Sequence, residues 1–238
     1  MPAKPLSQFR YLSFDIVGTL IDFEAGLVGA LRDIAAEDGI DLDREAALAA
    51  YRGARYTPDA LRFPDDLARV YRVIAPQLGL RADPAAGARL RDAVPGWLPF
   101  VDSVAAMARL RQHFKLIAMT NAQRWAFEHF DHALGHPFHA AFTTDDTGTE
   151  KPDPAFFHKV FAFVEAEGAS RNDILHVAQS QYHDIGISRA LGMTNCWIER
   201  RHSQPGYGGT IAPEQFTKPD YHFTSMAALA DAVELEFA

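Results

Sequence analysis

The chain has 238 residues, 48% of them apolar, and a formal net charge of −8. That is enough apolar material for a full hydrophobic core, and too acidic a surface for broad nucleic-acid binding. The single cysteine, Cys196, excludes an internal disulfide and reads as a small packing residue in a reducing, cytoplasmic setting. The opening MPAKPLSQFR lacks the apolar stretch of a signal segment, and no apolar run approaches the ~20 residues of a membrane helix, so no membrane partner is expected.

In chain order, Tyr11–Val17 reads as a short buried strand halted by Gly18-Thr19. Residues 22 to 94 carry no strand pattern. The spacing of Leu27, Leu31 and Ile34 predicts a helix, and further helices fit Arg44–Arg55, Pro64–Leu78 and Pro84–Val94, with breaks near Gly39, Pro58, Gly79 and Pro95-Gly96. After Gly96 the pattern alternates. Helix 102–113 leads to strand Lys115–Thr120, helix 123–134 to Ala140–Thr143, helix 154–167 to Ile174–Gln179, and helix 184–191 to Thr194–Ile198. Tyr221–Phe223 is a last short strand. Alternation of this kind implies a parallel sheet covered on both faces. The expected fold is α/β: a Rossmann-like core of residues 1–21 and 96–238, with a helical cap, residues 22–95, inserted after the first strand. Residues 199–220 (ERRHSQPGYGGTIAPEQFTKPD) form a long Gly/Pro-rich loop, and loops of that length are functional or mobile. Its Arg200, Arg201 and His202 read as solvated residues or an anion contact.

Ligands of open parallel sheets bind beyond the carboxyl ends of the strands. There the sequence sets Asp15, then Thr120-Asn121, then Lys151-Pro152, then Gln179-Ser180 with Asp184 a few residues on. A carboxylate is a weak nucleophile that needs a positioned electrophile and a partly dry site. A lysine beside it favours its charged form, and hydroxyl and amide donors can hold substrate and leaving charge. Asn121 either caps the following helix or contacts substrate. His129/His132 and His136/His139 belong to no cysteine or carboxylate set that completes a zinc pattern. His176 reads as a core or supporting residue. Trp97, Phe100 and Trp125 are expected to pack, with Trp97-Leu98-Pro99-Phe100 at the cap-to-core hinge also a candidate to face the cleft.

Asp15-x-x-Gly18-Thr19-Leu20, Thr120-Asn121, Lys151-Pro152 and Gln179-Ser180 with Asp184 together resemble the haloacid dehalogenase superfamily over about residues 10–198. The resemblance implies that Asp15 is a nucleophile forming a covalent intermediate, that Thr19 and Thr120 orient or stabilise the reacting groups, and that Lys151 neutralises charge beside Asp15. Members that move phosphate share a second aspartate two residues after the nucleophile, and a Gly-Asp-Ser stretch whose aspartate binds magnesium. Here those positions hold Val17 and Ala178-Gln179-Ser180. Val17 transfers no proton, and Gln179 removes a negative charge from a hard-cation site, although Asp184 and Asp15 retain some capacity for metal.

Both changes resemble the metal-independent branch that includes the 2-haloacid dehalogenases. The resemblance implies attack by Asp15 on the α-carbon of a small 2-substituted carboxylic acid, then hydrolysis of the ester by a water that Asp184 or Lys151 activates. No cofactor is expected; Mg²⁺ belongs to the alternative, a phosphatase. In the cap, Arg52 or Arg55 is the candidate anion receiver, and Thr120, Asn121, Gln179 and Ser180 are candidate substrate contacts. HVAQSQYHD and ERRHSQPGYG also resemble a sister group that includes azetidine-2-carboxylate hydrolase. Its amine leaving group needs a proton, and Tyr182, His183 and Asp184 are candidate donors. The expected partner is thus a small carboxylic acid, and a homodimer is compatible with the cap and core surfaces.

Overall fold

Every residue of Tyr11–Phe14 is buried, as a central parallel strand requires, and this segment forms β1. The computed structural model describes residues 4–238. With β2 (Lys115–Met119), β3 (Ala140–Phe142), β4 (Ile174–Ala178), β5 (Thr194–Ile198) and β6 (Tyr221–Phe223), it makes a six-stranded sheet in the order β3-β2-β1-β4-β5-β6. All five pairings are parallel. The chain leaves β1 for β2 and β3 on one side, then crosses back to β4 on the other. The strand order therefore reverses at β1, and a crevice opens there beyond the strand ends.

The predicted α/β class is the observed one, with local differences. β1 stops at Phe14 rather than Val17. Asp15 N still donates to Val177 O at 3.0 Å, after which Leu20 N and Ile21 N both turn back onto Ile16 O. Gly18, at φ +98°, supplies the left-handed residue that this reversal needs.

Between β1 and β2 lie α1 (Phe23–Ala36), α2 (Arg44–Arg55), α3 (Leu67–Ile74) and α4 (Pro84–Asp92). Asp22, Asp43 and Asp83 cap three of them by accepting from Ala25 N, Ala46 N and Ala85 N. The helix predicted over 64–78 is interrupted: Pro76 cannot continue α3, and a 3₁₀ turn over Pro76–Leu78 replaces its end. After Gly96 come α5 (Ser103–Leu110), α6 (Arg124–Ala133), α7 (Thr144–Thr147) and α8 (Pro154–Ala166). The predicted helix 184–191 is a π turn, Gln181–Ile185, running into α9 (Gly186–Ala190). A terminal helix, α10 (Met226–Phe237), was not foreseen. Ser225 caps it, Met226, Leu229, Ala230 and Val233 are buried, and it packs on α5.

The 199–220 loop departs most from expectation. Its arginines are neither solvated nor free for an anion. Arg200 donates to Thr19 O at 2.9 Å and pairs with Asp102 at 2.8 Å. Arg201 is buried between Glu24 and Glu45, and Glu24 also accepts from Gly209 N at 3.0 Å. These contacts lock the loop onto α1 and α2. Cys196 packs, fully buried, in β5, and burial raises its thiol pKa. Trp97 is buried against Phe63 and the face of α1, away from the crevice. Among the described residues, no helix is long and apolar enough to cross a membrane.

A Cβ at Gly26 of α1 would lie 2.4 Å from the Trp97 ring. Alanine gains about 1 kcal/mol of helix propensity, but displacing the indole costs about 1–3 kcal/mol. Gly26→Ala is therefore expected to lower the thermal unfolding midpoint; a raised midpoint would refute this packing.

Candidate active site

Asp15 emerges where β1 ends, at the reversal of strand order. Lys151 lies beyond the end of β3 and α7 and reaches back under it. The Lys151 ammonium donates to Asp15 Oδ1 at 2.9 Å, Asp184 Oδ1 at 2.6 Å and Met119 O at 2.9 Å, so all three of its protons are used. Thr19 Oγ1 donates to Asp15 Oδ2 at 2.6 Å and accepts from Gln179 N at 2.8 Å. Asp15, Thr19, Lys151 and Asp184 are all buried.

Two carboxylates thus share one ammonium. Burial pushes Asp184 up, but Lys151 and His176 outweigh it and hold the group at about 2. Asp15 lies above the usual carboxylate range because burial, helped by the Asp184 charge, exceeds the pull of Lys151 and Thr19. Lys151 is raised: burial works against its charge, and the two carboxylates overcome it. The pair therefore differs in readiness: Asp184 ionises first and Asp15 later.

Thr120, Asn121, Gln179, Ser180 and Arg55 line one cleft with Asp15, Lys151 and Asp184. Thr120 is buried at the end of β2, and its Oγ1 accepts from Ala122 N. Asn121 does not cap α6. Its Nδ2 donates to Lys151 O at 2.8 Å, and its Oδ1 accepts from Lys151 N at 2.7 Å, a reciprocal pair that fixes the lysine's backbone. Gln179 O accepts from Trp197 Nε1, and its amide sits 3.5 Å from Thr210 Oγ1. Ser180 caps the π turn by accepting from His183 N at 2.9 Å.

Of the two arginines offered by α2, Arg55 lines the cleft. It is 5% exposed, bound to Asp66 at 3.1 Å, and stacked over Tyr56 and Phe63. Arg52 instead donates to Gly208 O and is not part of the lining. Nor are Trp97 and Phe100.

The cleft has a volume of about 600 Å³, including its open mouth, and Val17, Phe23, Tyr51 and Phe63 give it an apolar wall. Gly209 and Thr210 from the long loop close one side. Several lining contacts escaped sequence reasoning. Tyr56 OH lies 2.8 Å from His183 Nε2, a contact between the insert and the π turn across 127 residues. Asp66, which holds both Arg55 and Arg69, carried no sequence signal beyond being one acid among many. His183 did stand beside Asp184 in the sequence. Burial lowers its pKa to about 4, so it is neutral near pH 7.

Magnesium takes hard oxygen ligands, mostly carboxylates and water. Here both Asp15 oxygens and Asp184 Oδ1 already accept from protein donors, and position 179 is a neutral amide. Among the described residues, no group of three His, Cys, Asp or Glu is placed to hold a metal ion. Among the described residues this leaves Asp184 Oδ2 as the carboxylate oxygen of the set without a protein donor, a set short of the carboxylates that a divalent cation takes.

A nucleophile-type carboxylate, a lysine and a second acid at the strand ends of a parallel α/β sheet define a hydrolase of the haloacid dehalogenase type. The family of haloacid dehalogenase-like hydrolases matches residues 9–180, and the chain belongs to it. The chain is similar to YfnB of Bacillus subtilis (strain 168), which is named as a HAD-hydrolase, at 25% identity over 206 residues, 81% of this chain and 85% of that one. The structure of YfnB bound to magnesium superposes with a TM-score of 0.74 at 20% identity, covering 95% of this chain and 99% of that one. The L-2-haloacid dehalogenase PA0810 gives 0.75 at 23% identity, covering 97% and 100%. The L-2-haloacid dehalogenase of Xanthobacter autotrophicus with chloropropionic acid covalently bound gives 0.72 at 19%, covering 95% and 98%. At these identities the structural likeness speaks for the fold.

Asn121→Ala removes both bonds to the Lys151 backbone. We expect a loss of about 1–3 kcal/mol in denaturant unfolding; unchanged stability would show that other contacts suffice to hold that segment.

Proposed function

We propose that the chain is a metal-independent hydrolase, like the 2-haloacid dehalogenases, acting at the α-carbon of a small 2-substituted carboxylic acid through an ester on Asp15. The observation that carries this reading is Val17, which lines the cleft two residues beyond Asp15. A phosphoryl-transfer member of the family has its proton-donating aspartate at that position. A halide leaves as a weak base and needs no such donor.

In this reading residues 22–95 act as the cap. Arg55 and the apolar wall receive the substrate, with Thr120, Asn121 and Ser180 beside it. Asp15 Oδ attacks the α-carbon, the carbon–leaving-group bond breaks, and the leaving group departs with the electron pair. Thr19 and Lys151 hold the attacking carboxylate in line, which supplies much of the advantage of a bound over a free reaction. Water then adds to the ester carbonyl of Asp15, with Asp184 as the base, and the 2-hydroxy acid is released.

One observation favours a second leaving group. Ser180 Oγ lies 3.0 Å from His183 Nδ1, and His183 Nε2 lies 2.8 Å from Tyr56 OH, so one imidazole links the serine hydroxyl to a phenol at the cleft. Such a relay suits a leaving group that takes up a proton, as in ring opening of azetidine-2-carboxylate.

The test is leaving-group release from a panel of 2-halo acids, including L-2-chloropropionate, and ring opening of azetidine-2-carboxylate. Turnover is expected to survive EDTA and to be abolished in Asp15→Asn. No turnover on the whole panel would end this reading, and phosphate-ester hydrolysis lost in EDTA would put a magnesium-dependent phosphatase in its place. The pH profile carries a sign. Asp15 attacks only when ionised, and burial raises its pKa above the ordinary aspartate value of about 3.9. kcat/KM should therefore fall on acidification with a midpoint above that value; a limb at or below it would contradict the burial of the nucleophile.

A further inference from the structure

The parallel register of β1 and β4 sets Ser13 opposite His176. Ser13 Oγ is 2.9 Å from His176 Nδ1, and His176 Nε2 is 3.1 Å from Asp184 Oδ1. All three residues are fully buried, and Phe157 stands edge-on to the imidazole at 5.6 Å. Asp184 is an ionised acceptor, so His176 Nε2 carries the proton and donates, while Ser13 fixes the other ring nitrogen. Lys151 donates to the same oxygen, Oδ1, at 2.6 Å. Asp184 Oδ2, by contrast, is buried with no protein partner among the described residues, and Asp184 lines the cleft.

We propose that His176 is a positioning residue for the second half of the reaction: backed by Ser13, it locks Asp184 by Oδ1 and reserves Oδ2 for the water that hydrolyses the ester on Asp15. The inference rests on the ester chemistry proposed above. Lys151 alone is a poor lock. When Asp15 becomes an ester its charge is lost, and a flexible ammonium released from one of its two carboxylates can reorient. The imidazole, seated in the central sheet, holds its place in both states. In the step itself, water oxygen bonds to the Asp15 carbonyl carbon and its proton passes to Asp184 Oδ2. The bond from that carbon to the substrate oxygen then breaks, and the departing alkoxide takes the proton from Asp184. The new Asp15 carboxyl releases its own proton to solvent.

The experiment compares His176→Leu and His176→Gln with the wild-type enzyme, on a panel acid that the wild type turns over. In His176→Leu a rapid-quench burst of about one leaving group per site should persist at the wild-type rate, while steady turnover falls about ten- to a hundredfold, up to the smallest contribution of a general base itself. Intact-protein mass spectrometry should then show the ester accumulating on Asp15. His176→Gln keeps an N–H donor and should recover part of the rate. A burst and steady rate that fall together, or no accumulated ester, would overturn the inference. Wild-type inactivity on the panel would instead refute the proposed function. A crystal structure of His176→Leu then decides the inference without a substrate: the Asp184 carboxylate should turn from its present orientation, and an unmoved carboxylate would overturn it.

Discussion

A single ammonium group lies between two buried carboxylates, and the rest of the site is arranged around it. Each contact of Lys151 with Asp15 or Asp184 recovers about 5 kcal/mol at the effective dielectric of a protein site. Burial costs each ion several kcal/mol, so the three charges are supportable only together. Without the lysine, two like charges would face each other in a buried site. The arrangement also distributes roles. One acid, with two donors on one oxygen, stays ionised well below neutrality; the other remains closer to its transition between acid and carboxylate.

The sheet topology makes this meeting possible. Asp15, Lys151 and Asp184 are separated by 136 and 33 residues, yet each follows a strand that ends on the same edge of the sheet. The parallel order through β3, β2, β1 and β4 sets the three at one crevice, and the central position of β1 keeps them buried. Behind the site, Asn121 ties the backbone of Lys151 to the end of β2, and Thr19 ties Asp15 to the start of the π turn through Gln179 N. Local turns thus set the angles, and long-range pairing sets the distances.

Much of this was legible from the sequence, for physical reasons that differ by element. β5 (Thr194–Ile198) and α2 (Arg44–Arg55) have the bounds their patterns suggest, since apolar periodicity and an aspartate cap mark them without help from tertiary contacts. The rim residues could be read because strand ends in a parallel sheet share one side. The helix cap considered for Asn121 does not form, because its side chain holds a backbone 30 residues away. Arg200 and Arg201 read as surface charges because nothing in their neighbourhood announces Asp102, Glu24 or Glu45. Pairings between a late loop and an early helix leave no periodic trace. The terminal helix is a different case: Ser225 and the spacing of Met226, Leu229 and Val233 were present to be read.

The wall contributed by the long loop has a consequence for how the pocket can change. At Gly208 a Cβ would come within 1.8 Å of Glu24 Oε1, and at Gly209 within 2.8 Å of the Phe23 ring. Any side chain there collides with the buried ion pair or the aromatic lining, so this flank of the cleft cannot be resized one substitution at a time. Change in pocket size is channelled instead to the aromatic residues Tyr56 and Phe63, which present replaceable bulk. The glycines make one side of the pocket a fixed gauge and leave the aromatic side as the adjustable jaw.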